Sequence, residues 1–295
     1  MPSNLPDKRS MPERTRGLLL NIVFYIVSFA IGIIPFILID DPLLASAAFT
    51  AVATFILFCF STVFEDVSIY DPYWSVAPFV IILSCMIKYG FWTVNAIILL
   101  VVIGLWSARL TLNWYYTYRG IRHEDWRYAQ YREKCSPLLF HLISFFGLHF
   151  IPTIVVYGGL VSAILSLSQN SFAPLSVIGL AVMLLAVLLE LVSDQSIHRF
   201  LLDHRDEHRT CDVFVWKYSR HPNYLGEMSF WTGLYLYFLA LRPDIWYLGL
   251  GFLSIILLFL FVSIPMMEKH NAARREDYRA YQERTSMLLL LPPKK

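Results

Sequence analysis

Apolar residues come along this chain in long blocks separated by short polar stretches. Eight blocks stand out, at residues 18–39, 43–64, 75–90, 92–115, 140–167, 174–200, 225–241 and 245–267. A helix needs about 20 largely apolar residues to cross the hydrocarbon core of a bilayer. Most of the blocks reach or approach that length, while the third is short and carries Lys88 near its end. In lipid every backbone polar group must be satisfied internally, so spans are helices or closed barrels, and the block lengths predict helices. The expected fold is all-α, a polytopic transmembrane helical bundle of about eight spans, within a range of seven to nine. Residues 1–17 read as a polar N-terminal tail and residues 18–295 as a single membrane-embedded helical domain. A polar start with no small-residue cleavage site after the first block predicts no cleavable signal peptide.

Composition agrees. The 295 residues are 57% hydrophobic and 16% charged, and the mean hydropathy is +0.55. Soluble domains carry about 25% charged residues, so a water-soluble globular protein is excluded. The net charge of +2 says little, but its distribution says more. All Lys and Arg except Lys88, Arg109 and Arg242 fall in residues 1–16, 119–134, 199–220 and 269–295. With eight spans those four segments share one face, and the positive-inside rule makes that face cytosolic. Both termini are then expected in the cytosol, with the chain in the endoplasmic reticulum membrane of a eukaryote or the inner membrane of a bacterium. Cys59 and Cys85 fall in spans, Cys135 and Cys211 in cytosolic loops. Free thiols are expected.

Ionisable groups inside a span are costly and mark candidate sites. Arg109 lies deep in the fourth block, where a helix-locking ion pair and a functional role both stand. Glu190, Asp194 and His198 recur at i, i+4 and i+8 in the sixth, which puts them on one helical stripe and favours a site. Glu227 opens the seventh block and Glu268 closes the eighth. For His141 and His149 the reading is a core or interfacial role.

The loop 200–224 ends in Lys217-Tyr-Ser-Arg-His-Pro-Asn-Tyr-Leu-Gly-Glu227 and runs straight into an apolar helix. Pro222 suits a first helical turn and holds His221 extended. A helix start beside Lys217 and Arg220 suits an anion. The tail after Glu268 reads as a basic helix that leaves the membrane and folds back along its surface, an interfacial anchor able to close over a phosphorylated ligand. Two motifs fail. His204-Arg-Asp-Glu-His208 matches a zinc-protease pattern and the His-x-x-x-His of di-iron enzymes, but the remaining ligands are missing, so a solvated loop is expected and no metal. Gly249-Leu-Gly251 sits in an apolar span, where it reads as helix packing rather than a dinucleotide fingerprint.

Ser219-Arg-His-Pro-Asn-Tyr-Leu-Gly-Glu227, with Ser193-Asp194 upstream and Tyr278-x-x-Tyr281 in a basic tail, resembles the membrane reductases of the steroid 5-alpha-reductase superfamily, in particular its DUF1295 branch. Asp71-Pro-Tyr-Trp74, Trp106-Ser-Ala-Arg109 and Glu124-Asp-Trp-Arg-Tyr128 support the likeness, which runs from about residue 65. It implies a helical membrane bundle that binds NADPH from the cytosolic side and reduces a conjugated carbon–carbon double bond in a lipid or steroid-like substrate, in the manner of a 3-oxo-5-alpha-steroid 4-dehydrogenase. The cofactor-binding half would be about 174–295. Asn223 would meet the nicotinamide carboxamide and Asp194 the cofactor, with Glu190, Arg199, Arg205, Tyr218, Arg220, His221, Glu268, Tyr278 and Tyr281 as further cofactor contacts. Glu227 and Tyr224 are the catalytic candidates. Where steroid reductases carry an asparagine four residues before the Ser-Asp aspartate, this chain has Glu190. Their arginine seven residues after it falls on Leu201, which leaves Arg199 or Arg205 to take that role.

The chemistry is compatible with the resemblance. Hydride addition to the β-carbon of an enone leaves charge on the carbonyl oxygen, and a hydrogen-bond donor there lowers the barrier. A carboxyl at the membrane edge that keeps its proton supplies such a donor, and Glu227 is placed for it. Two other readings remain. Arg-His-Pro-x-Tyr with a following glutamate also resembles S-adenosylmethionine-dependent membrane methyltransferases of the isoprenylcysteine and phospholipid type, whose tails show paired glutamates; here Lys269 follows Glu268. A non-catalytic lipid-binding membrane protein is the second, although no repeat or broken midplane helix supports a transporter.

Overall fold

Prolines and short polar caps set where the helices begin. In the computed structural model, which describes residues 11–204 and 209–294, prolines stand in the first turn of six α-helices, the position where a missing N–H costs nothing. Asp41, Thr93 and Asp125 accept from Leu44, Ala96 and Arg127 N–H groups and cap three starts. The helices are α1 (Met11–Gly32), α2 (Ile34–Leu38), α3 (Pro42–Val63), α4 (Tyr73–Tyr89), α5 (Val94–Thr117), α6 (Trp126–Lys134), α7 (Pro137–Leu142), α8 (Ile151–Ser166), α9 (Ser176–Asp203), α10 (Pro222–Leu241), α11 (Leu250–Leu258), α12 (Ile264–Arg274) and α13 (Tyr278–Arg284). The fold is all-α, 80% helical, and the described residues contain no strand.

Among the described residues, seven helices are long and apolar enough to cross a membrane: Pro12–Leu38, Pro42–Val63, Val67–Tyr89, Val94–Thr117, Pro137–Ser166, Ser176–Asp203 and Pro243–Arg274. The protein is a multi-pass membrane protein. The short third block gains length from a 3₁₀ turn, Val67–Tyr70, that leads into α4. The remaining predicted span, the seventh block, is α10, which is diluted by polar groups yet buries residues around its circumference, from Glu227 and Met228 to Trp231 and Phe238. A helix sheathed in protein need not be apolar toward lipid.

Two of the long helices contain π-helical turns, Ile143–Phe150 and Phe259–Ser263. Each runs into a helix whose first turn holds a proline, Pro152 or Pro265. A proline ring clashes with the carbonyl four residues back, here Leu148 and Phe261, and a widened turn relieves that clash.

The chain forms two compact units that divide between Asn170 and Ser171. In the N-terminal unit, α3 presents Ala45, Phe49, Ala53 and Leu57 to the interior, small residues alternating with large. Hydroxyls link its helices: Thr54 and Thr153 lie 2.9 Å apart, and Ser75 and Thr111 2.8 Å. His149 is fully buried, with Nδ1 2.7 Å from the Ser144 carbonyl and Nε2 3.1 Å from the Ser61 hydroxyl. The core reading of this histidine is borne out, and its partners are now named. His141 is exposed.

In the C-terminal unit, α9 and α10 pair antiparallel at close backbone approach. A Cβ placed on Gly179 would lie 2.4 Å from the Tyr237 nitrogen, and one on Gly233 2.8 Å from the Gly179 carbonyl oxygen. Beyond α9, Cys211 packs with Phe200 and Trp216. All four cysteines are free thiols. Burial pushes the Cys211 thiol up to about 11, so roughly a thousandth of it is thiolate at pH 8. A water-soluble maleimide at pH 8 is therefore expected to modify the half-buried Cys135 long before Cys211, read by mass spectrometry of the folded protein; equal rates would contradict this packing.

Candidate functional site

The site is built from the junction between α9 and α10 and from the chain beyond α12. Pro222 starts α10 after His221, which sits at φ −137°, ψ 57°, and no side chain caps this helix start. The peptide just before it is crossed by the C-terminal segment. Arg220 N–H donates to the Ser286 carbonyl at 2.9 Å, Ser219 Oγ to the Leu288 carbonyl at 2.7 Å, and Leu291 N–H to the Tyr218 carbonyl at 3.2 Å. Tyr281 OH donates to the Trp216 carbonyl at 2.5 Å. Residues 286–291 thus form a strap along the loop. The basic helix after the last span is α12, which runs to Arg274; the seven-residue α13 follows, and the strap beyond it folds back onto residues 218–220.

Glu268 is the hub. Its Oε1 lies 2.7 Å from His221 Nε2 and accepts from Tyr278 OH at 2.7 Å and Arg220 Nε at 3.1 Å. Its Oε2 accepts from Gln282 Nε2 at 2.5 Å. Arg220 also donates through Nη1 to the Gln282 carbonyl at 2.6 Å and the Thr285 carbonyl at 3.2 Å. Charge-assisted bonds of this kind are about twice as strong as neutral ones. Burial, then the Glu268 carboxylate, push the Tyr278 hydroxyl well above its usual range, so it stays a donor. His221 stacks on Tyr224 with ring centroids 5.4 Å apart and planes 6° apart, and Tyr224 meets Phe259 at 5.0 Å.

The carboxylates lie one turn deeper. Glu190 is fully buried against Gly226, where an added Cβ would come 2.3 Å from its Cγ. Glu227 is 5% exposed, and its Oε1 accepts from Trp231 Nε1 at 3.0 Å. Asp194 is buried and His198 half-buried, so exposure along the predicted stripe increases toward the end of α9. Asn223 is half-buried, while Arg199 and Tyr218 are exposed.

The predicted residues therefore fall into groups. Arg220, His221, Glu268 and Tyr278 meet directly, Tyr224 joins through His221, and Tyr281 pins the loop that carries them. Glu190 and Glu227 occupy the facing part of the α9–α10 pair. Arg199 stands apart on the exposed side of α9. Arg205, like the rest of 205–208, lies outside the described residues. Among the described residues no cluster of three or more His, Cys, Asp or Glu is arranged to hold a metal. Gln282 was missed, although it follows Tyr278 at i+4 and shares its helix face. Trp231 follows Glu227 at the same spacing.

In the N-terminal unit the upstream motifs also meet. Tyr128 OH donates to Asp71 Oδ1 at 2.6 Å, and Arg132 grips Glu124 through Nε at 2.8 Å and Nη2 at 2.7 Å. Glu124 Oε1 accepts from Val67 N–H at 3.0 Å, and Asp66 from Arg122 N–H at 2.8 Å. Burial pushes the Asp66 carboxyl up against the opposing pull of the Arg122 and Ser68 N–H groups. Two loops distant in sequence are locked together here.

Residues 57–285 match the family described as "Protein of unknown function (DUF1295)". The chain belongs to the DUF1295 family. The match opens in α3 and closes at Thr285, so it takes in both loop locks and the whole Glu268 hub. One curated relative, "Uncharacterized protein C594.04c" of Schizosaccharomyces pombe, is 25% identical over 204 residues, which are 61% of this chain and 59% of the relative. The chain thus spans about three-fifths of that relative's length. No solved structure matches the chain.

Proposed function

We propose that this DUF1295 protein is an integral membrane NADPH-dependent reductase that reduces a conjugated carbon–carbon double bond in a lipid or steroid-like substrate. The observation that carries the reading is the convergence, in one unit, of the uncapped α10 start, the Arg220–His221–Glu268–Tyr278 hub and the buried Glu190 and Glu227. The residues fit a dinucleotide. The α10 start offers N–H donors and a positive dipole end, with exposed Lys217, Lys269 and Arg274 at the same end of the unit. Arg220 and His221 would position the loop rather than meet phosphate, since Glu268 and two carbonyls take their donors.

NADPH supplies the hydride when bound. The hydride would enter the β-carbon of the substrate, the π bond would break, and its electrons would move to the carbonyl oxygen before the α-carbon takes a proton. Trp231 Nε1–H holds one oxygen of Glu227 and so fixes the carboxyl that would meet that carbonyl. Tyr224, fixed between His221 and Phe259, carries the second hydroxyl donor at the helix start. The strap and the His221 stack would keep water from the reacting carbon. The basic segments support a cytosolic placement of this end.

Binding of NADPH and of S-adenosylmethionine to purified protein tests the reading. Wild type is expected to bind NADPH, Asn223→Ala to lose it, and Glu227→Gln to bind NADPH while reducing an enone lipid about 10²- to 10³-fold more slowly. Binding of S-adenosylmethionine without NADPH would put a methyltransferase in its place.

A further inference from the structure

Not all of the apolar surface of the C-terminal unit lies on its spanning helices. Phe214 is 69% exposed, Tyr218 40%, Leu289 56%, Leu290 44% and Leu291 50%. The loop and the strap that carry them are tied together by the bond from Leu291 N–H to the Tyr218 carbonyl. Phe214 sits at φ 49°, in the left-handed region that a bulky side chain rarely adopts. Its neighbour Trp216 is buried, so the turn hides one aromatic and turns the other outward.

The depth of this turn is fixed by a bond. Trp216 Nε1 donates to the Ser193 carbonyl at 3.0 Å. Ser193 lies ten residues before the end of α9 at Asp203, about 15 Å along the helix at 1.5 Å per residue. The loop therefore stays alongside α9 rather than projecting beyond its end. It folds back beside the last turns of a spanning helix whose own Leu191, Val192 and Leu202 are exposed. Exposed aromatic and leucine side chains at that level, beside exposed Lys217 and Lys294, match the makeup of a membrane-interface element.

We propose that the turn 214–218 and the strap 287–291 form a bilayer-docking surface, with Phe214 and Leu289–Leu291 in the boundary between headgroups and acyl chains and Lys217 and Lys294 on anionic headgroups. The partner is the lipid surface, and the proposal stands independently of the reductase reading. Docking would hold the strap, and with it the loop before α10, against one leaflet.

The test uses the full chain with Cys59 and Cys135 replaced by serine. Phe214→Cys, Leu290→Cys and, on the exposed face of α13, Glu283→Cys each carry an environment-sensitive fluorophore. Proteins are placed in phosphatidylcholine bilayers with or without phosphatidylglycerol, and melting curves confirm that each is folded. Labels at 214 and 290 are expected to be quenched by doxyl-labelled lipid, shielded from iodide and blue-shifted further when phosphatidylglycerol is present. The label at 283 is expected to show the reverse quenching. Iodide access at 214 and 290 in both bilayers would overturn the proposal and leave the face to a soluble partner. Lipid quenching that is the same with and without phosphatidylglycerol would overturn the headgroup role of Lys217 and Lys294.

Discussion

Gly179→Ala and Gly233→Ala are each expected to destabilise the C-terminal unit by about 3 kcal/mol, at the upper end of what overpacking costs. Their effect on melting in detergent should rank among the largest of any single methyl addition. The reason is what the added carbon meets. At Gly179 it would lie 2.4 Å from the Tyr237 nitrogen and 2.6 Å from the Gly233 carbonyl oxygen, and at Gly233 2.8 Å from the Gly179 carbonyl oxygen. These are backbone atoms of a paired helix, so relief needs the helices to part. Gly147→Ala is the control, because its Cβ would meet only Ile143 Cγ2 at 3.8 Å. Gly226→Ala separates packing from chemistry. Its Cβ would strike Glu190 Cγ at 2.3 Å and stand 3.1 Å from the Ala186 carbonyl oxygen, so displacement of the buried Glu190 is expected along with the loss of stability. Melting of Gly179→Ala and Gly233→Ala no lower than that of Gly147→Ala would mean that α9 and α10 do not approach as closely as described.

The spans were legible in the sequence because lipid imposes one rule on every residue of a block, and a rule that acts locally leaves a local trace. α10 shows the limit. Its burial comes from α9 and not from lipid, so its polar residues weakened the pattern without weakening the helix. The stripe of Glu190, Asp194 and His198 was readable from spacing alone, since one helix sets all three directions. Glu268 was visible only as a charge at the end of a block. Its partners Arg220 and His221 lie 48 and 47 residues away, and no periodicity encodes a contact between chain segments so far apart. The strap was hidden for a related reason. Its bonds run through backbone groups of Ser286, Leu288 and Leu291, and backbone groups are the same in every sequence. The loop lock of Asp71 with Tyr128 had a trace only in the motifs that resemble the reductase superfamily, whose residues turn out to be neighbours in space.

Removing the hub should open the strap. Glu268→Ala takes away the carboxylate that His221, Arg220, Tyr278 and Gln282 share, and leaves behind Arg220, whose side chain is only 12% exposed in the intact protein. Deleting one partner of a buried, hydrogen-bonded ion pair costs about 3–5 kcal/mol, because the other charge stays behind without its counterion. The loss should be local. Hydrogen exchange at residues 285–294 is expected to accelerate toward the open-chain rate, while exchange in α9, tied to α10 through Gly179 and Gly233, changes little. Glu268→Gln should fall between wild type and alanine: one oxygen still accepts, but the charge is gone and the new NH₂ faces donors. On the proposed reductase reading, NADPH affinity should drop with strap protection across the three proteins, since Asn223 and the α10 start hang from the loop that Arg220 and His221 hold. If strap protection survives Glu268→Ala, the bonds of Ser219 Oγ and of the Arg220 and Leu291 N–H groups carry it by themselves, and Glu268 acts on something other than the strap.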